Sequence, residues 1–122
     1  MAKKGTTRYS SDIQEKRIQK SLGGVRTPNS GATQFIKGDN LLDDFFIEGK
    51  TSMTPVKSKA IKLADLLKAK EQAFFMRKPF YAMAICLGGT TDYYVMEDTD
   101  FEIIYEGYKK YQELLSSGLV KE

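Results

Sequence analysis

The chain has 122 residues, 41% of them hydrophobic, and a formal net charge of +3. That suits one soluble domain with a small core and excludes a globally disordered chain. It contains no histidine and a single cysteine, Cys86. Ser-His and Cys-His nucleophilic pairs, the usual zinc sites and an intrachain disulfide are therefore excluded. No run approaches the length of a membrane-spanning helix. The Lys-rich N-terminus lacks the apolar stretch of a secretory signal, so the expectation is a cytoplasmic protein without membrane contact.

The small net charge conceals an asymmetry. Residues 1–70 carry 14 Lys/Arg against 7 Asp/Glu (net +7), and residues 71–122 carry 5 against 9 (net −4). A basic half suits a phosphate-rich partner, although an unevenly charged solvated surface has the same composition.

Taken in order, residues 1–9 read as a flexible basic arm before a single domain over 10–122. Ser10-Ser11-Asp12 offers N-caps, with Gln14 and Glu15 at capping-box spacing, so a helix is predicted from Asp12 to Leu22. Gly23-Gly24 ends it. A strand end at Val25 runs into a loop through Gly31. Two strands, Gln34–Asp39 and Asp44–Thr51, flank a short connection over 40–43. Ser58 is placed as the cap of a helix reaching Arg77, with Leu63, Leu66, Leu67 and Phe74 facing the core. Pro79 stops that helix. The unalternating apolar run Tyr81–Leu87 marks a strand buried on both faces, with Cys86 as a small hydrophobe in it. Gly88-Gly89 turns the chain into a strand over Tyr93–Met96. After Asp98-Thr99-Asp100 a last amphipathic helix carries Ile104, Tyr108, Tyr111 and Leu115. Its tyrosines Tyr105, Tyr108 and Tyr111 suit core or a dimer interface. The order implies an α/β fold, a central mixed sheet of about five strands flanked by helices (αβββαββα).

The chemistry concentrates in Gly38-Asp39 and Phe45-Phe46-Ile47-Glu48-Gly49-Lys50. Strand residues i and i+2 share a face, so Glu48 and Lys50 project together. A hairpin that sets Asp39 beside Glu48 converges two carboxylates and an ammonium. Neighbouring carboxylates resist joint ionisation unless a cation lies between them. Oxygen ligands of this kind suit magnesium, with manganese as substitute. A turn-forming Asp39 with an exposed Glu48–Lys50 pair is the competing reading. For Glu15 the competitor is the capping box.

The ordered set Glu15, Arg26, Asn29-Ser30-Gly31-Ala32, Gly38-Asp39 and Phe46-Ile47-Glu48-Gly49-Lys50-Thr51, followed by a Ser- and Lys-containing helix and a Pro-Phe-Tyr-Ala-Met-Ala strand, resembles the PD-(D/E)XK nuclease superfamily. More narrowly it is similar to the small Holliday junction resolvases encoded by bacteriophages. The likeness spans about Ser10 to Phe101, with Gly38 where the superfamily name implies proline. It implies a restriction-endonuclease-like core and a magnesium-dependent endonuclease that hydrolyses phosphodiesters and leaves a 5′-phosphate. Catalytic roles fall to Asp39, Glu48, Lys50 and Glu15. Metal ligation falls to Asp39, Glu48, the carbonyl of Gly49 and Glu15. Arg26, Asn29 and Ser30 suit phosphate contacts, and Lys57, Lys59 and Lys62 suit a DNA path, though loop stabilisation and solvated charge explain such residues too. Cutting two opposed strands of a branched double-stranded DNA implies a homodimer. A nickase or repair endonuclease for other branched, mismatched or linear DNA, and a non-catalytic DNA-binding protein, remain alternatives.

Overall fold

The computed structural model describes residues 7–26 and 39–119. Within them the elements are α1 (Thr7–Leu22), β1 (Val25–Arg26), β2 (Asn40–Leu41), β3 (Phe45–Thr51), α2 (Leu63–Phe75), β4 (Phe80–Cys86), β5 (Asp92–Val95) and α3 (Asp98–Ser117). The strands form one mixed sheet in the order β1-β2-β3-β4-β5. β3 and β4 run parallel, with α2 as the crossover between them, and the other neighbours are antiparallel. The fold is α/β.

Helix α1 starts at Thr7, ahead of the expected Asp12 and inside the expected arm. Ser11 and Asp12 are therefore helical, and the capping-box reading of Glu15 is overturned. Tyr9, Ser10, Ile13 and Arg17 line a hollow shared with Thr51–Met53 and Gly88-Gly89. Tertiary packing along that side carries the helix past its local cap signals. Gly23 closes it as expected, at φ 73°, its N–H donating to the Gln19 carbonyl at 2.8 Å.

The expected strand Gln34–Asp39 falls almost wholly outside the described residues. Asn40 and Leu41, placed in a connection by the sequence, are strand β2, and the tight turn follows them, with Leu42 N–H donating to the Phe45 carbonyl at 2.9 Å. Asn40 is fully buried opposite Ile47.

The core lies in two layers. On one sheet face Ile18 of α1 packs on Ile47 and Ala84. On the other, Ala69 and Ala73 of α2 pack on Phe46 and Tyr81, with Leu41 and Leu66 at the margin. Full burial of side chains such as Phe46 and Ile47 contributes about 1.5–3 kcal/mol each. Residues Tyr81 to Cys86 are all buried, as a central parallel strand requires.

Two helical expectations fail. Helix α2 begins at Leu63, not Ser58, and its N-cap is an extended Lys62 without a side-chain cap bond. The preceding segment is bound to the end of β4 instead: Ser52 N–H reaches the Cys86 carbonyl at 3.2 Å and Val56 N–H the Leu87 carbonyl at 2.9 Å. Gly88, at φ 93°, lets that segment pass, because a Cβ there would lie 2.4 Å from the Thr54 carbonyl oxygen. The core stripe of α2 is also rotated. Leu63, Leu67 and Phe74 are exposed, and the small Ala69 and Ala73 face the sheet, where Phe46 and Tyr81 already fill the volume. Helix α3 buries no residue at all, so its tyrosines are not core.

Candidate functional site

The register of β2 on β3 pairs Asn40 with Ile47 and Leu41 with Phe46. Continued by one residue, it sets Asp39 opposite Glu48, the juxtaposition expected from the sequence. Residues opposite one another share a face, so Asp39 and Glu48 lie on the α2 side of the sheet with Phe46 and Lys50. Both carboxylates are buried, Asp39 4% and Glu48 6% exposed. This overturns the reading of Glu48–Lys50 as a solvent-exposed pair.

Lys50 Nζ stands between two acids, 3.9 Å from Glu48 Oε1 and 3.8 Å from Asp65 Oδ2. Asp65 comes from the first turn of α2 and was missed in the sequence. Its signal was an acid in the helix that follows the Glu-x-Lys strand. Burial pushes the Glu48 carboxyl above its ordinary range; Lys50 opposes that shift and Asp65 adds to it. Glu48 Oε2 is buried with no hydrogen-bond partner. A buried carboxylate oxygen with spare acceptor capacity costs free energy until a cation or donor reaches it.

Glu15 sits in the middle of α1 and is 2% exposed. Its neighbour Gln14 ties that turn of the helix to the site. Gln14 Nε2 donates to the Lys50 carbonyl at 3.3 Å, the Ala84 carbonyl at 3.0 Å and Asp92 Oδ1 at 3.0 Å. Arg17, one turn on, forks onto Asp92 at 2.6 and 2.8 Å, and that bond raises the pKa of the guanidinium. Gln14, Arg17 and Asp92 thus bolt α1 across β3, β4 and β5 directly behind Lys50. Gln14 carried only a capping-box signal, and Arg17 and Asp92 carried none, because the partners lie up to 78 residues away.

The candidate DNA contacts are dispersed. Arg26 lies in β1, and Asn29 and Ser30 lie outside the described residues, as does Gly38. Lys57 and Lys62 are exposed in the extended segment before α2, so Lys59 and Lys62 are not one helical turn apart. Lys59 Nζ reaches the Thr51 carbonyl at 3.5 Å and Ser52 Oγ at 3.2 Å, pinning that segment to the end of β3.

The donor set fits a hard cation in part. Asp39 and Glu48 each supply a buried carboxylate, that of Glu48 with an unpartnered oxygen. Among the described residues no three acids or cysteines gather into a ready metal cage. A cation here would take two strand carboxylates, add backbone oxygen and complete its shell with water, as magnesium commonly does.

No protein-family profile, no curated protein and no solved structure matches this chain. Among the described residues no helix is long and apolar enough to cross a membrane.

Proposed function

We propose that this chain is a magnesium-dependent endonuclease acting on branched double-stranded DNA, of the type that resolves four-way junctions. The observation that supports the reading is the pairing of Asn40 with Ile47, which brings the backbone of Asp39 level with Glu48, and the approach of Lys50 to Glu48 two residues along β3. The resemblance to PD-(D/E)XK nucleases adds the substrate class, the restriction-endonuclease-like core and the homodimer.

Bound magnesium, or manganese in its place, would supply Lewis-acid activation of water and of the attacked phosphate. Asp39 and Glu48 would hold it, with the Gly49 carbonyl as a further oxygen donor; Glu15 belongs to α1, which packs on the other face of the sheet, so its role as a ligand rests on the resemblance alone. Lys50 orients the attacking water or counters charge developing on the phosphate. Its ammonium is held between Glu48 and Asp65. Gln14, through the Lys50 carbonyl, fixes the backbone that carries the ammonium. Arg26, Asn29, Ser30, Lys57 and Lys62 contact phosphates; Lys59 contributes by holding the segment that presents its neighbours.

A synthetic four-way junction and a linear duplex of the same arms, incubated with magnesium, manganese or chelator, test the reading. Junction cleavage with either metal and none with chelator is expected. Asp39→Asn, Glu48→Gln and Lys50→Ala should each lower cleavage by about a thousandfold, while junction binding persists in a gel-shift assay. Cleavage by Asp39→Asn at the wild-type rate removes the proposal. Equal cutting of linear duplex moves the substrate to ordinary DNA.

A further inference from the structure

Helix α3 spans Asp98–Ser117, 20 residues, and buries none of them. Among the described residues no other element packs extensively against it. Isolated helices gain little stability in water, and most helices in proteins are held by a packed face. Yet α3 has such a face ready. Phe101, Ile104, Tyr108, Tyr111 and Leu115 recur at spacings of three and four, the a/d pattern of a coiled-coil seam. The first four are 40–57% exposed. No charged residue interrupts the seam. Phe101, Tyr105 and Tyr108 stack in a ladder along it, with centroids 6.3 and 6.5 Å apart.

The root of the helix is fixed. Glu97, its N-cap residue, accepts a hydrogen bond from the buried Tyr81 hydroxyl and pairs with Lys70 of α2 at 3.0 Å. Those donors hold the Glu97 carboxyl below its ordinary range. The apolar face is therefore presented in a set direction from the sheet.

We propose that a second copy of this chain covers that face, the two α3 helices packing antiparallel. Charge distribution selects this occupant. Residues 98–107 carry four acids and no base, net −4, whereas residues 108–117 carry Lys109, Lys110 and Glu113, net +1. A parallel pair would stack the two acidic halves together. An antiparallel pair sets each acidic half against the other copy's basic half and opposes the helix dipoles. One a-to-d register matches Phe101 with Tyr111 and Ile104 with Tyr108 of the second copy. The seam side chains, four of them 40–57% exposed, give two copies a joint buried area at the low end of specific interfaces. The proposal stands whether or not the chain cuts DNA.

Sedimentation equilibrium of the full chain tests it. The expected mass is twice the monomer's 13.8 kDa, and Tyr108→Glu should return it to monomer while thermal unfolding of the sheet core stays cooperative. Tyr108→Phe keeps the seam and should remain dimeric. A wild-type monomer throughout the micromolar range, or a Tyr108→Glu dimer, overturns the proposal. For orientation, mixed Ile104→Cys and Tyr108→Cys chains should form the mixed disulfide under mild oxidation, Cys86 being buried. A disulfide between two Tyr108→Cys chains overturns the antiparallel arrangement.

Discussion

Helices α1 and α3 reverse the relation between what a helix is made of and where it ends up. Over its described length α1 is largely polar, with Ile13, Ile18 and Leu22 as its aliphatic residues, yet Gln14, Glu15 and Ile18 are buried in it. Helix α3 carries an apolar residue at almost every turn and buries none. The difference lies in what each helix meets. Helix α1 lies across a sheet whose backbone and acids need partners, so its amide and guanidinium are worth more there than methyl groups. Among the described residues no element packs extensively on helix α3, so its apolar stripe is surface until another surface arrives. Composition states what a helix could pack; the neighbouring element decides whether it does.

The largest effect should come from α1's one buried aliphatic. Ile18→Ala removes a side chain packed on Ile47 and Ala84 and should cost about 2–5 kcal/mol in denaturant unfolding. Gln14→Leu follows. It keeps the volume and removes the amide donor from two carbonyls and from Asp92, which keeps Arg17, at about 1–3 kcal/mol. It should also lower junction cleavage, because the Lys50 carbonyl loses its tether. If Gln14→Leu were neutral in both assays, the polar face of α1 would be ornament rather than structure.

Much of the architecture was legible in the sequence because the strong signals were local. Gly23 ends α1, the unalternating run becomes the buried β4, and Glu48 and Lys50 share a face by strand geometry alone. The antiparallel pairing of the chain after Asp39 with β3 was readable too, since one short turn fixes the register. What failed was set by partners distant in the chain. The start of α2 was lost because Ser52 and Val56 are bound to the end of β4, and its core face because alanines suffice against Phe46 and Tyr81. Gln14, Arg17 and Asp92 form a site-supporting network that no spacing rule contains. For α3 the periodicity was right and its destination was not: an amphipathic stripe is the same for a core and for an interface.

A third prediction sharpens the comparison through pH. Burial raises the Glu48 pKa in the folded chain above its ordinary value of 4.5. Below 4.5 the carboxyl is protonated in both the folded and unfolded states and exacts no penalty. As pH rises through the raised folded value, the unfolded state releases its proton first, and stability falls. In metal-free buffer Glu48→Gln should therefore raise the melting temperature by a few degrees at pH 7 and leave it unchanged near pH 4. Saturating magnesium should cancel the advantage at pH 7 by stabilising the wild type. A Glu48→Gln protein no more stable than wild type at pH 7 without metal would mean that the carboxylate is solvated, and the candidate site would lose its physical basis.

The smallest effect is the one that separates α3's seam from its remaining surface. Ile103 is 58% exposed and lies off the Phe101–Ile104–Tyr108–Tyr111–Leu115 stripe. Ile103→Ala should change stability by less than about 0.5 kcal/mol and leave the sedimentation mass unaltered. Ile104→Ala, one residue along, should leave the dilute monomer just as stable and weaken self-association measurably. Two neighbouring isoleucines, alike in composition and both exposed, would then differ only in the direction they point. Equal behaviour of the two would place the interface elsewhere on the helix and leave α3 with an apolar face that the heptad pattern does not explain.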